Sequence, residues 1–318
     1  MKIFDKILLH EVFADQPPVL LDIGSSTHLC ERWNQLAKYS ICIAFDPDAR
    51  QMDYISAMAG NYRKLHVIPA IVHPELDGEC DFYLASSPEC SSMLELRSQE
   101  VKKWHFQYFF QLEKKVKLPC VTLSGILSDL KLNYVDCFKA DTQGTDLRIL
   151  NSLGENRIAR ILSLELEPGP SAAYVNDDTL GSVISDMEQR HNFRMIACRP
   201  LGSQYFPLEL EEKYLSKLQR RLIPTVLRES PLWFELSYLN NFNKGGLGKR
   251  EYLLGWVLAM IETEYGWASE LAEMGKAKFN DQIFEEMQHA TLKAIPWIRP
   301  TLMKIIRKIS LMSRFKDA

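Results

Sequence analysis

The sequence predicts an α/β fold: a mostly parallel sheet covered by helices on both faces, followed by a helical C-terminal appendage. Three observations carry this. Val19-Leu20-Leu21-Asp22-Ile23 is an apolar run broken by one acid, and it leads straight into Gly24-Ser25-Ser26. That is the grammar of a buried parallel strand, a tight glycine turn and a helix start. A second apolar run, Ile41-Cys42-Ile43-Ala44-Phe45, ends in Asp46-Pro47-Asp48. Beyond it, apolar runs keep alternating with helix-like segments, which is the order of a doubly wound sheet.

The elements follow in chain order. A leading helix over residues 1–16 is stopped by Pro17-Pro18, because proline cannot continue a helix. The first strand covers 19–23, a helix covers 29–39 and the second strand covers 41–45. A helix over 49–59 ends at Gly60-Asn61, a common stop signal. The third strand is expected over 65–72, and after an Asp77-Gly78 turn a short strand covers 79–85. Residues 86–98, broken by Pro88, read as a loop with a short helix. Residues 116–123 are extended, and Ser124 or Ser128 caps a helix running to 130. The fourth strand is 134–141, Gln143-Gly144 turns the chain, and a helix covers 146–153. The fifth strand, 160–166, ends among Glu165, Glu167 and the breaker Pro168-Gly169-Pro170. A helix over 179–191 precedes the sixth strand at 193–198, and the seventh is 232–238. At Gly245-Gly246-Leu247-Gly248 the strand pattern stops. Helices at 250–274, 278–292 and 300–315 are expected beyond it, so the division falls into 1–242 and 243–318.

Composition narrows the function classes. Hydrophobic residues make up 46% and charged residues 25% of the 318, as in soluble globular proteins. A formal net charge of −3 gives no basic field, so nucleic-acid binding is not expected. Seven cysteines contain no Cys-x-x-Cys pair and read as reduced thiols of a cytoplasmic protein. Residues 1–10 mix Lys2, Asp5 and Lys6 with apolar side chains, which reads as an amphipathic helix rather than a signal peptide. The apolar run at 253–261 is too short to span a membrane. No histidine, cysteine and acid set has metal-ligand spacing, and no metal is expected.

A glycine turn after the first strand offers backbone N–H groups and a helix dipole to a ligand. An acid at the tip of the second strand is where such folds hold ribose hydroxyls. Together they point to a nucleoside-containing cofactor. The turn reads Gly24-Ser25-Ser26-Thr27-His28, without the later glycines that let a pyrophosphate approach closely. That counts against NAD or FAD and suits S-adenosyl-L-methionine, which carries no phosphate.

The middle of the chain adds a resemblance. VTLSGILSDLKLNYVDCFKADTQGTDLRILNSL (121–153), followed by RILSLELEP, resembles the FkbM family of S-adenosylmethionine-dependent methyltransferases. Leu123, Lys139, Asp141, Gly144, Asp146 and Leu150 stand at the positions of the family's Lys-x-Asp-x-x-Gly block, with Glu165 on the following strand. The DIGSS, AFDPD and ECSSML segments are similar to earlier family blocks. Ser25-Ser26 replaces the usual Ala-Asn, and Asp46 and Asp146 stand where the family commonly has Glu. The resemblance implies a class I methyltransferase (Rossmann-like) domain with a seven-stranded sheet. It also implies methyl transfer, expected at oxygen, to a small-molecule or glycan acceptor such as a sugar or natural-product hydroxyl.

By the family pattern Asp22 and the Gly24-Ser25 turn face the methionine part of the cofactor, and Asp46 accepts from the ribose hydroxyls. Asp22 as a cap of the next helix and Asp48 as the ribose acid are the alternatives. Ser91 and Ser92 either line the adenine pocket or form a surface turn. Methyl transfer needs alignment above all, and a hydroxyl acceptor also needs a base. Asp141 is the expected polar centre, with Glu165 the alternative base. Lys139, two residues before Asp141, shares its face of the strand; it either holds the site in shape or lowers the acceptor's pKa. His28 follows the glycine turn and is a weaker candidate for touching cofactor or acceptor; His73 and His191 read as surface residues. The tail from 291 to 318 mixes seven Lys and Arg with apolar residues at helical spacing. It suits either peripheral contact with anionic lipid or packing on the other C-terminal helices or a second subunit. Two further readings stay open: an inactive cofactor-binding module that recruits partners through 243–318, and a nicotinamide-dependent oxidoreductase.

Overall fold

The computed structural model describes residues 3–25, 29–48, 58–170, 173–190, 192–243 and 246–296. Most of the expected 49–59 helix, the 300–315 helix, His28 and His191 lie outside them. Seven strands form the main sheet: β1 (Val19–Ile23), β2 (Ile41–Phe45), β3 (Lys64–Ile68), β7 (Cys137–Ala140), β8 (Ser163–Leu166), β9 (Phe193–Ser203) and β10 (Ser230–Asn240). Their order is β3-β2-β1-β7-β8-β10-β9. β3, β2, β1, β7 and β8 pair in parallel, while β10 runs antiparallel to both β8 and β9. The sheet is seven-stranded and mostly parallel, as the sequence implies.

Every residue of β1 is buried, and alternation sends its side chains to two cores. Val19, Leu21 and Ile23 join Ile43, Phe45, Phe138 and Leu164 on one face. Leu20 joins Cys42, Cys137 and Leu239 on the other, where the C-terminal helices Lys249–Ile261, Tyr265–Phe279 and Ile283–Ala294 pack. Helix Lys249–Ile261 is buried nearly all round, so these helices form one wall of the sheet's own core. A buried clasp fixes them. Arg250 donates to both Asp136 carboxylate oxygens at 2.8 Å, and Asp136 also accepts from the Val19 amide at 2.8 Å.

Several elements differ from expectation, each for a local reason. The expected 29–39 helix is two 3₁₀ turns, Glu31–Gln35 and Ala37–Tyr39. The chain closes through i→i+3 bonds, with the amides of Trp33, Leu36 and Tyr39 donating to the carbonyls of Cys30, Trp33 and Leu36, the 3₁₀ pattern, while Leu29, Cys30, Trp33, Leu36 and Ala37 are buried. The expected 65–72 strand splits at Pro69, which lacks an amide donor. Its second piece, β4 (Ile71–Val72), leaves for a small sheet with β5 (Gly78–Ala85) and β6 (Leu112–Val121), ordered β4-β6-β5. Thr122, not Ser124 or Ser128, caps helix Leu123–Asp129 through the Gly125 amide. Asp77 accepts from the Thr122 amide and hydroxyl and sets that cap in place. The expected 250–274 helix breaks where Thr263 turns left-handed at φ 58°, with the Glu264 amide closing back on the Ala259 carbonyl at 2.8 Å. Two helices that the sequence reading left unassigned, Leu208–Tyr214 and Lys217–Val226, connect the two longest strands.

Candidate active site

The site forms at the C-terminal ends of β1, β2 and β7, where ligands bind in sheets of this type. Gly24 has φ +80°, and a Cβ there would stand 1.9 Å from the Asp141 carbonyl oxygen. Only glycine meets both conditions, because an L side chain is strained at this φ and there is no room for it. The turn is further fixed by the Gly24 amide donating to the Phe45 carbonyl at 2.9 Å. The ends of β1 and β2 and the Asp141 loop are thereby brought together. Between them lies a cleft lined by Gly24, Asp46, Asp48, Ser91, Met93, Asp141 and Gln143 among others.

The expected cofactor residues divide into two groups. Gly24, Asp46 and Ser91 line the cleft, as does Asp48. The Asp48 amide donates to Asp46 Oδ1 at 2.8 Å, so both acids are held at the tip of β2. Asp22, Ser25 and Ser92 stand behind the lining. Asp22 is fully buried; its Oδ2 accepts from the Cys30 amide at 2.8 Å, and Ser25 Oγ donates to the Asp22 carbonyl at 3.0 Å. Burial pushes the Asp22 carboxyl up, against the opposing pull of Lys139 and the Cys30 amide. Ser92 Oγ donates to the Gln143 carbonyl at 2.8 Å and braces the loop after β7.

Asp22, Lys139 and Glu165 are direct neighbours across β1, β7 and β8, on the face that the C-terminal helices cover. Lys139 Nζ lies 3.9 Å from Asp22 Oδ1. Burial works against its charge, but Asp22, Asp141 and Glu167 together hold it protonated. Glu165 is in an ion pair with Arg32, which also reaches Glu262 at 3.5 Å. Lys139 and Glu165 line a separate cleft with Arg32, Arg199 and Glu262; neither lines the cleft at Gly24.

Asp141 sits where two clefts meet. The second has a volume of about 620 Å³ and shares Glu89, Asp141 and Gln143 with the first. Its walls carry Phe106, Tyr108, Phe109 and Trp233, with His105, Glu167, Glu229 and Glu235. Asp141 Oδ1 accepts from Gln143 Nε2 at 2.7 Å, and Tyr174 OH lies 3.1 Å from Gln143 Oε1. Burial raises the Asp141 carboxyl, against Lys139 and Gln143. Glu167 is pushed up to about 9 by burial and then by Asp141.

Asp146, the acid of the Lys-x-Asp-x-x-Gly block's far end, shapes the loop. It accepts from the Thr142 amide at 2.9 Å and the Glu167 amide at 2.8 Å, tying the end of β7 to the end of β8. Burial and Asp141 push it up to about 6. Gly144, at φ +105°, leaves no room for a Cβ, which would meet Asp177 Cβ at 2.6 Å.

The FkbM methyltransferase domain matches residues 22–195, more than half of the chain. The chain belongs to the FkbM methyltransferase family. S-adenosylmethionine is its cofactor, and the Gly24 cradle with two acids at the tip of β2 fits a nucleoside group there. Among solved structures the chain is similar to a TehB-like SAM-dependent methyltransferase from Corynebacterium glutamicum. Identity is 9%, coverage 75% of this chain and 88% of that one, and the TM-score 0.26. Sp1610 of Streptococcus pneumoniae, described as a candidate tRNA (m1A22) methyltransferase in complex with S-adenosyl-L-methionine, shows 12% identity. It covers 92% and 98% of the two chains, with TM-score 0.30. YcgJ from Bacillus subtilis shows 11%, 74%, 96% and 0.30 in the same order. No curated protein sequence matches the chain.

Sequence reasoning missed Gln143, which donates to Asp141, Tyr174, whose hydroxyl donates to Gln143, and Glu167 as a member of the site. It also missed His105, whose Nδ1 is 2.7 Å from the buried Glu211 carboxylate. Glu167 carried a signal, being the acid one alternation beyond Glu165 at the strand end. His105 and Glu211 stand 106 residues apart in the chain and carried none.

Proposed function

We propose that this FkbM methyltransferase methylates a hydroxyl oxygen of a sugar, glycan or natural product, held in the second cleft against Asp141. The observation that carries the reading is the junction itself: two carboxylates, Asp141 and the exposed Glu89, line both clefts, and Gln143 orients Asp141. Gly24, Asp46, Asp48 and Ser91 are placed to hold the cofactor. When bound, the cofactor supplies a methyl group already activated for transfer.

The chain's own residues do the rest. The aromatic walls of the second cleft offer flat apolar faces for a ring, and its acids accept hydrogen bonds from hydroxyls. Among the described lining residues there is no Lys or Arg, which suits an acceptor without phosphate or carboxylate. Asp141, held by Gln143, accepts the hydroxyl proton, and its raised affinity for a proton favours that step. His105, oriented by Glu211, is the second base on the same cleft. Lys139 and Asp22 hold the strand ends in place from behind. All seven cysteines are free thiols, which fits the reducing cytoplasm.

Calorimetric titration with S-adenosylmethionine tests the cofactor half. Wild type should bind, and Asp46→Ala should bind at least about tenfold more weakly through loss of hydrogen bonds to a charged group. No binding by folded wild type would sink the reading. The acceptor half is tested by methyl transfer to a panel of neutral glycosides, with Asp141→Asn and His105→Gln as the two base variants. Binding without transfer to any hydroxyl compound would favour the partner-recruiting module instead.

A further inference from the structure

We infer that helices Leu208–Tyr214 and Lys217–Val226 form a docking surface for an anionic phospholipid bilayer, beside the mouth of the second cleft. Fifteen large apolar side chains are exposed among the described residues, and six of them fall between 210 and 227. Leu210, Tyr214, Leu218, Leu222 and Val226 recur at every fourth residue and are 42–67% exposed. The chain is extended at Leu215 and Ser216, so the spacing sets Leu210 and Tyr214 on one face of the first helix and Leu218, Leu222 and Val226 on one face of the second, both exposed. Ile223 is the one buried residue of the second helix. A concentrated apolar face that no described residue covers marks a contact surface.

Charge selects the occupant. The first helix carries Glu209, Glu211 and Glu212, with Glu212 pairing Arg220 at 3.4 Å; on the second helix and just beyond it Lys217, Arg221 and Arg228 flank the stripe, and no acid occurs between 217 and 228. A wet apolar stripe flanked by cations is the pattern of a helix lying in the headgroup layer of an anionic membrane. A second copy of the chain fits less well, because a two-fold contact would set the same cations against one another. No described helix is long and apolar enough to cross a membrane, so the segment lies on the bilayer. Position adds a consequence. Pro224 and Glu229 of this segment line the second cleft, as do the exposed Tyr108 and Phe109. The Glu211–His105 contact ties the first helix to the same wall. Docking therefore brings the cleft mouth to the lipid surface, where an acceptor carried on a lipid anchor would be presented. Lys217, Leu218, Arg221, Leu222 and Val226 line neither of the two clefts that meet at Asp141, so vesicle binding can be tested separately from the proposed reaction.

Sedimentation of the full chain with vesicles tests it, using phosphatidylcholine alone and phosphatidylcholine mixed with phosphatidylglycerol. Wild type should pellet with the anionic vesicles, less so as salt rises. The triple variant L218S/L222S/V226S and the double variant K217E/R221E should each lower that binding by about tenfold or more. Both should keep the wild-type circular dichroism spectrum and S-adenosylmethionine affinity, since the altered side chains are exposed. A wild type that ignores anionic vesicles, or variants that bind them as wild type does, would overturn the inference. So would a wild-type dimer that the triple variant converts to a monomer, which would assign the surface to a second copy.

Discussion

Two carboxylates flank β7, Asp136 just before it and Asp141 just after it, and they are treated in opposite ways. Asp136 is 2% exposed and saturated: both oxygens take Arg250, and one also takes the Val19 amide. Asp141 has Gln143 as its one described side-chain donor and otherwise faces the two clefts. The first end of the strand is a clasp, which joins the C-terminal helices to the sheet. The other is a site, where a carboxylate is kept short of partners so that a ligand can supply them. Buried polar groups are normally satisfied, so the difference separates structure from chemistry on one strand.

The largest effect should come from the clasp. Arg250→Ala leaves Asp136 buried without its counter-charge, and urea unfolding should show a loss of about 3–5 kcal/mol. S-adenosylmethionine affinity of the remaining folded protein should stay near wild type. A loss under about 1 kcal/mol would break the contrast at its structural end. Next comes Gly24→Ala, which forces a Cβ onto the Asp141 carbonyl at a positive φ. Stability should fall by about 2–3 kcal/mol, and calorimetry should show cofactor binding lost with it.

Asp141→Asn should do the reverse of Arg250→Ala. Its stability should equal or exceed wild type, because burial already disfavours the charge, while methyl transfer is lost. The pH dependence sharpens this. Glu167, raised from 4.5 to about 9, binds its proton more tightly folded than unfolded. Its contribution to stability is full below pH 4.5 and is lost as pH rises towards about 9. Denaturant midpoints should therefore fall with pH across that window, and Glu167→Gln should flatten the slope. The smallest effect is expected from Tyr174→Phe. Removing one hydroxyl near Gln143 should cost about 1 kcal/mol and leave the pH slope in place.

The legible parts of the protein were those written by local pattern. β1 and β2 are buried on both faces, so they appear as near-continuous apolar runs, while β7 and β8 each place a half-buried charged residue, Lys139 and Glu165, between buried apolar ones. Gly24 was legible because only glycine suits the turn that ends β1. The Lys139–Asp141–Gly144 block was legible through its resemblance to a family, and Asp46 through its place after β2. Glu165 shows the limit of such reading. Its position on the strand was clear, but its partner Arg32 comes from a turn 133 residues earlier, and nothing local announces that pairing.

By itself, then, the sequence determined the strand runs, the glycine turn and the acids at the strand ends, since these depend on neighbours within a few residues. Tertiary structure alone decided which acids face a cleft and which are neutralised. It also decided that Pro69 diverts the chain into a second sheet and that 210–226 turns its leucines outward. The physical reason is the same in each case. A side chain's burial and its charge partners are set by segments that meet only when the sheet closes, and no local spacing encodes that meeting.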